Sequence, residues 1–382
     1  MARAPANARA RSGPLIPLGR WAGIQVGADG TWLIVFLLVT LSLSQRFAGS
    51  HPGWSPVHYW ILGIGTSALF FLSIILHEFG HSLTAIRLGV PVRSITLFIF
   101  GGVAALGGEP ARPRDEFLIA LAGPAVSLAL GVIFWLVGLG LGQDTLLGET
   151  AHWLGVINLT LFAFNLIPGF PLDGGRVLRA ALWAKKKSLA RATTVAASIG
   201  SLVAYGFMAF GVLTALFGGN LFGGLWLAFI GWFLLSAARS SAVQTVAAEV
   251  LRRMRVADVM SPSCTTVPPW VSLQEVVEDG VLRRGQRCFM VVRDDAFVGM
   301  ITLHQIREVP REDWGVTSAQ GAMVKVADLV TVEPDTDVFT ALRTMDEAGV
   351  SQVPVLQGGR MVGALSREHL LGVLRNQMEF HV

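Results

Sequence analysis

Long apolar stretches separated by short polar connections make up the first two thirds of the chain. Six of them precede residue 245, and most reach the roughly 20 residues that a helix needs to cross the hydrocarbon core of a bilayer. They cover residues 31–48, 59–86, 117–141, 151–170, 192–217 and 221–238. This pattern predicts an α-helical polytopic membrane domain with six transmembrane helices.

A shorter apolar segment, residues 92–106, lies between the second and third stretches. It is rich in β-branched and aromatic residues and is interrupted by Gly101 and Gly102, a pattern typical of a hairpin that is too short to span a bilayer. Irregular backbone near a membrane is tolerated only where protein or a water-filled cavity covers it. We therefore expect a small membrane-associated β-hairpin beside the helices.

The pattern changes after residue 250, where an imperfect internal repeat begins. Residues 256–259 (VADV) recur as 326–329 (VADL), and residues 298–301 align with 362–365. Each copy has the pattern of a short lead, an amphipathic helix, two strands and a closing helix, and two such copies make one small α/β domain. The predicted domains are residues 1–245 and 250–382, with the repeats at about 253–310 and 322–378.

Composition and charge support this division. Only 15% of the residues are charged and the mean hydropathy is +0.57, which excludes a wholly soluble protein. Residues 1–250 carry 16 Lys and Arg against 9 Asp and Glu, whereas residues 251–382 carry 14 against 17. The basic residues of the first part cluster in alternate connections. The positive-inside rule therefore predicts a multi-pass protein of the cell membrane with both termini in the cytoplasm, and no role in nucleic acid binding.

The strongest chemical signal is the sequence HEFGH at residues 77–81, inside the second stretch. His77 and His81 lie on one face of a helix, close enough for both imidazoles to bind one Zn²⁺. Glu78, beside the first histidine, can act as a general base toward water. The alternative is that these side chains pack against polar groups in the bundle, but ionisable residues within a membrane are usually functional.

A catalytic zinc site usually has three protein ligands, and Asp173 is the best candidate for the third. It follows Pro168 and Pro171, which interrupt the fourth stretch, and a broken helix at membrane depth usually lines a site. An aspartate at this place can instead cap the helix that follows. Both His81 and Asp173 lie a few residues before arginines assigned to the cytoplasmic side, which places them at similar depth.

Together, HEFGH and the segment NLIPGFPLDGGR at residues 165–176 resemble the site-2 protease family of intramembrane zinc metalloproteases, and the repeats resemble a pair of CBS domains. The resemblance implies one Zn²⁺ per chain, and the ligands it implies are His77, His81 and Asp173. Glu78 is then the catalytic base, and Asn165 holds the substrate or stabilises the oxyanion. Gly123 and Ser127 match a small-residue motif of the family's third helix, where close helix packing is the simpler interpretation of Gly123.

The implied activity is hydrolysis of peptide bonds in transmembrane segments of regulatory membrane proteins. A helical substrate must unwind first, and the strand at residues 95–100 is a candidate to hold it by strand addition. CBS pairs often bind adenosine nucleotides, but the aspartate that usually contacts the ribose is replaced by Gln305 and His369. The sequence thus leaves an adenosine nucleotide as a partner of the CBS pair, a modulating or structural role, and homodimerisation all open.

Two other functions fit part of the pattern. A membrane transporter or channel regulated by a CBS pair would also contain polar intramembrane residues and a broken helix. It would not explain a glutamate between two histidines at metal-binding spacing. An inactive zinc-bound scaffold is the third interpretation, and it predicts that Glu78→Gln changes little.

Overall fold

The computed structural model describes residues 16–99, 101–142, 145–261, 265–294, 296–370 and 372–373. The chain divides into two compact units, and the boundary lies between Val246 and Ala247. The first unit is helical with one small sheet, and the second is an α/β unit with two sheets.

Long helices form most of the first unit. Their bounds are α1 Gly30–Ser50, α2 Pro56–Arg87, α3 Pro113–Leu141, α4 Leu146–Asn165, α5 Asp173–Lys186, α6 Leu189–Phe217 and α7 Leu221–Arg253. Among the helices that the structure describes, five are long and apolar enough to cross a membrane, namely α1, α2, α3, α6 and α7. The predicted helical membrane domain is therefore confirmed as a class.

The fourth predicted span differs from the prediction. It was expected over residues 151–170, but α4 ends at Asn165, and residues 166–172 are not helical. Pro168 and Pro171 follow directly, and proline both lacks an amide donor and disfavours a helical residue before it. Helix α4, which carries Glu149 and Asn158, is not among the five helices that are long and apolar enough to cross a membrane.

A four-stranded sheet packs on α2. The strands are β1 Ile16–Trp21, β2 Ile24–Ala28, β3 Val92–Phe98 and β4 Gly101–Leu106, in the order β1-β2-β3-β4. The predicted hairpin is confirmed as the antiparallel pair β3–β4, although Phe100 lies outside the described residues. A second hairpin, β1–β2, which the sequence pattern did not predict, joins it through parallel pairing of β2 with β3.

The core between this sheet and α2 is apolar. Ile24, Val26, Ile95 and Leu97 are almost fully buried and form one cluster with α2 residues such as Phe79. Since β3 lies between β2 and β4, the prediction that residues 95–100 form a free edge is wrong. The edge strand of the hairpin is β4, because its second side has no strand partner among the described residues.

The second unit contains the two repeats. One sheet has the order β5-β6-β7-β8 and the other pairs β9 with β10. The strands are β5 Thr265–Val267, β6 Cys288–Arg293, β7 Ala296–Thr302, β8 Val324–Lys325, β9 Gln352–Gln357 and β10 Arg360–Ser366. The helices are α8 Val256–Val259, α9 Leu273–Glu275, which continues as a π-helix over Val276–Arg283, α10 Leu303–Glu308, α11 Ala319–Ala322 and α12 Val338–Ala348. One apolar core is formed by residues of the first repeat, whereas the other joins residues of the second repeat to Val256 and Val259 of α8, so the two copies form one unit.

Candidate metal centre

Helix α2 places His77 and His81 on its buried face, where they are 4% and 5% exposed. The Nδ1 atom of each histidine contacts a group on α3, while Nε2 is left for the site. Nδ1 of His81 donates to the carbonyl oxygen of Ile119 at 2.6 Å, and Nδ1 of His77 lies 2.8 Å from Oγ of Ser127. A carbonyl oxygen only accepts, so the neutral His81 ring keeps its lone pair on Nε2. The contacts with α3 therefore orient both rings with Nε2 toward the site.

Asp173 completes a compact group with the two histidines. Its Oδ2 lies 3.2 Å from Nε2 of His77 and 3.2 Å from Nε2 of His81, and the two Nε2 atoms are also 3.2 Å apart. Four ligands placed tetrahedrally at about 2.0–2.1 Å from a metal ion are about 3.3 Å apart. The three atoms thus match one face of a zinc tetrahedron, which leaves a fourth position for water or substrate.

The chemistry of this group also fits a divalent cation. Two imidazole nitrogens and a carboxylate oxygen are a common ligand set of catalytic zinc. Three acceptor atoms at this separation repel one another unless a proton or a cation lies between them. Of the groups of His, Cys, Asp and Glu in the described parts of the chain, His77, His81 and Asp173 are the one set whose ligand atoms could hold a metal ion together.

Gly123 on α3 keeps the space beside the ligand atoms open. A Cβ at this position would collide with Nε2 of His81 and would lie 2.7 Å from Nε2 of His77. Sequence analysis favoured helix packing for Gly123. The structure shows close packing of α3 on α2 at this glycine, and the atoms packed against it are the imidazole nitrogens themselves.

Glu78 points from α2 toward the sheet. Its side chain is half-buried and packs against Gly102 of β4, where an added Cβ would lie 2.5 Å from Cγ of Glu78. The edge strand of the sheet therefore runs past the glutamate that the sequence predicts as the general base.

Asn165, the other predicted catalytic residue, is the half-buried last residue of α4. In the described ranges no hydrogen bond joins it to the histidines or to Asp173. The asparagine that α4 buries fully is Asn158, which donates to Oγ of Ser73 at 3.3 Å, one turn before His77. The structure thus brings together His77, His81 and Asp173, with Glu78 adjacent in sequence, and leaves the role of Asn165 as a prediction.

Sequence analysis missed both contacts that orient the histidines. Ser127 was noted only as part of a small-residue motif, although it lies four residues after Gly123 and so on the same face of α3. The carbonyl of Ile119 could not be found from sequence, since every residue has a backbone carbonyl.

Comparison with known proteins gives matches over both units. The profile "Peptidase family M50" matches residues 65–147 and 143–207, and "CBS domain" matches residues 256–312 and 322–376. Rip3 of Mycobacterium tuberculosis strain H37Rv is 37% identical over 356 residues, which is 92% of this chain and 90% of Rip3. "Zinc metalloprotease MJ0392" of Methanocaldococcus jannaschii is 31% identical and covers 88% of this chain and 90% of its own length.

A solved structure, "Site-2 Protease from Methanocaldococcus jannaschii", is 32% identical and covers 59% of this chain and 94% of its own, with a TM-score of 0.42. The M50 match includes His77, His81 and Asp173, and the relatives match over nearly their whole length. The chain therefore belongs to peptidase family M50, the site-2 proteases, and is an intramembrane zinc metalloprotease that carries a pair of CBS domains.

Proposed function

We propose that the protease domain, residues 1–245, hydrolyses transmembrane segments of regulatory membrane proteins at one Zn²⁺ held by His77, His81 and Asp173. The observation that supports this most strongly is the triangle of three acceptor atoms, each 3.2 Å from the other two. Zinc bound there lowers the pKa of water and polarises the scissile carbonyl. The family assignment favours this function over the CBS-regulated transporter or channel.

The protein side chains then have separate tasks. Glu78 accepts the proton of the attacking water and later delivers it to the leaving amine. Asn165 donates a hydrogen bond to the substrate backbone or to the developing oxyanion. The two α3 contacts keep the imidazoles oriented while the charge at the site changes.

The edge strand β4 is the proposed place for the substrate. A helical segment hides its carbonyls in i→i−4 hydrogen bonds, so cleavage requires local unwinding. An unwound segment can pair with the free side of β4 as an added strand, beside Glu78. This replaces the edge at residues 95–100, which β4 covers. Gly102 supports the assignment, because a side chain there would displace Glu78.

The proposed setting is the cell membrane, with a multi-pass topology and both termini in the cytoplasm. The alternation of basic and uncharged connections supports it. The CBS pair, residues 250–382, then lies in the cytoplasm, where it modulates activity or joins two chains. Nucleotide binding is not part of the proposal, because Gln305 accepts from the hydroxyl of Thr302 where the family usually has a ribose-binding aspartate.

The variant Glu78→Gln tests the proposed roles. It keeps the shape of the side chain but removes its basicity, so zinc content should match the wild type while cleavage falls by about 10²–10⁴-fold. Zinc is measured by mass spectrometry of the purified protein. Cleavage is followed in proteoliposomes that also hold single-span membrane proteins of the expression host, with new N-termini read by mass spectrometry.

Glu149→Gln is the matched control, since Glu149 is another glutamate of the helical unit, is buried, and has no contact with the three ligands. It should cleave like the wild type. A zinc-free wild type, or a Glu78→Gln variant that cleaves normally, contradicts the proposed function. Substrates that accumulate uncut on Glu78→Gln in native membranes would then identify the physiological targets.

A further inference from the structure

A buried ion pair joins α3 to α5 near the candidate metal centre. Glu116 is completely buried on α3, and Arg179 on α5 is 8% exposed. Nε of Arg179 donates to Oε1 of Glu116 at 2.6 Å, and a terminal guanidinium nitrogen donates to the same oxygen. Oε2 of Glu116 is buried without a hydrogen-bond partner in the described structure. Burying two charges is costly even when they are paired, so this pair calls for a role beyond packing.

Glu116 lies on the face of α3 that builds the metal centre. Glu116, Ile119, Gly123 and Ser127 follow one another at intervals of three or four residues and therefore share one face of the helix. Ile119 orients His81, Ser127 orients His77, and Gly123 leaves room beside both rings. The same face thus places both histidines and, through Glu116, contacts the helix that carries the third ligand.

Arg179 also contacts the segment that leads into α5. Its Cζ lies 5.1 Å above the centroid of the Phe170 ring. The backbone of Phe170 is itself fixed on α6, because its amide donates to the carbonyl of Ala196 at 3.3 Å. Asp173 lies between Phe170 and Arg179 in sequence. One guanidinium therefore restrains the chain on both sides of the third ligand.

We propose that Glu116 and Arg179 are positioning residues of the metal centre, which hold Asp173 in register with the two imidazoles. The inference rests on the proposed zinc site. Residues that orient metal ligands typically contribute a factor of about 10–100 to metal affinity. Without the pair, α5 keeps its contacts with α6 but loses a direct link to the helix that orients the histidines.

The test measures zinc affinity and ligand geometry in the purified full-length protein in nanodiscs. Competition with a chromophoric chelator gives the Kd for Zn²⁺, and the visible absorption of the Co²⁺-loaded protein reports the coordination geometry. Glu116→Gln and Arg179→Met should each raise the Kd about 10–100-fold and alter the Co²⁺ bands. The double variant should be no worse than either single one, because both act through one contact.

Controls separate positioning from stability. Glu149→Gln removes the charge of another buried glutamate and should lower the Tm while leaving the Kd and the Co²⁺ spectrum unchanged. Arg179→Lys keeps the charge but loses the planar guanidinium, so it should fold and raise the Kd by about three- to tenfold. If Glu116→Gln does not fold, this variant decides the question, and an unchanged Kd overturns the proposal.

A Glu116→Gln variant that folds with a wild-type Kd and Co²⁺ spectrum also overturns it, whatever its Tm. The zinc site itself is tested by His77→Ala. Should the wild type bind no Zn²⁺, or His77→Ala bind it as tightly as the wild type, the proposed metal site is wrong. Normal zinc binding that is lost in His77→Ala but unaffected in Glu116→Gln removes only the positioning role.

Discussion

Two clusters of polar side chains lie near opposite ends of α2, each around a largely buried acid, and they differ in what surrounds that acid. Near the C-terminal end, Asp173 faces the Nε2 atoms of His77 and His81. Near the N-terminal end, where α1 meets α4, Glu149 accepts from Oγ of Ser50 at 3.0 Å and has Nε of Arg46 at 3.4 Å. Both acids are largely buried in the same helical unit.

The difference lies in the direction of the donors. Around Glu149 the donors of α1 point at Oε1 of the carboxylate, and Nδ1 of His51 lies 3.2 Å from Oε2, so the cluster joins α1 to α4 through its own charged and polar groups. Around Asp173 the neighbouring nitrogens are acceptors whose protons lie on the other side of the ring, at least for His81. Gly123 additionally keeps space beside them. Burial alone therefore does not identify a metal site, whereas convergence of acceptors does.

The largest expected effect is that of Asp173→Ala. It removes one of three ligands, so zinc should be lost and cleavage should fall by at least about 10³-fold, because the loss of zinc removes both its activation of water and its polarisation of the carbonyl. Zinc content and cleavage in proteoliposomes are measured together. A variant that still holds one zinc per chain and cleaves at the wild-type rate would remove the distinction between the two clusters.

Gly123→Ala should have nearly as large an effect. The added methyl group would collide with Nε2 of His81, so either the rings or α3 must move, and the Kd for Zn²⁺ should rise by about 10²-fold or more. Gly140→Ala is the matched control on the same helix, because a Cβ there meets no atom within 4 Å. If both variants bind zinc like the wild type, Gly123 serves packing alone, as sequence analysis favoured.

These positions show how far the sequence was informative. The histidine pair could be predicted because residues four apart share a helix face whatever the fold. Asp173 could be predicted because prolines interrupt the apolar pattern just before it. For Gly123 the sequence indicated packing but not a place beside the candidate ligands, since tight helix packing and clearance for a metal both require glycine. Only the three-dimensional position of the imidazole nitrogens separates the two reasons.

The sheet likewise shows which parts of the fold could be predicted from the sequence and which could not. The hairpin β3–β4 follows from its β-branched residues, but β1–β2 was missed because Gly19, Arg20 and Gly23 weaken the alternation of a strand pattern. Because β1–β2 was not predicted, residues 95–100 were expected to form the open edge of the sheet. With β2 paired to β3, the side open to a substrate is β4, and pairing between segments this distant in sequence leaves no local signal.

Ser127→Ala should have a moderate effect. It removes the hydroxyl that holds Nδ1 of His77, so the ring loses one restraint while all ligands remain, and the Kd for Zn²⁺ should rise by about 10–100-fold. Ser198→Ala is a control, because the Ser198 hydroxyl donates to the carbonyl one turn earlier in its own helix. Equal zinc affinity in both variants would show that the contact with Ser127 does not tune the site.

The smallest effect on activity is expected for Glu149→Gln, which tests the cluster that lies away from the candidate metal centre. The amide retains an acceptor for Ser50 but loses the charge that faces Arg46 and His51, so the free energy of unfolding should fall by about 1–3 kcal/mol. Zinc content and cleavage should stay within about twofold of the wild type, because Glu149 contacts Ser50, Arg46 and His51 and none of the three metal-ligand residues. Thermal unfolding in nanodiscs and the proteoliposome assay measure the two quantities on one preparation. If cleavage instead falls as steeply as in Asp173→Ala while zinc is retained, the α1–α4 connection takes part in the reaction cycle, and the contrast between a structural and a catalytic acid cluster is wrong.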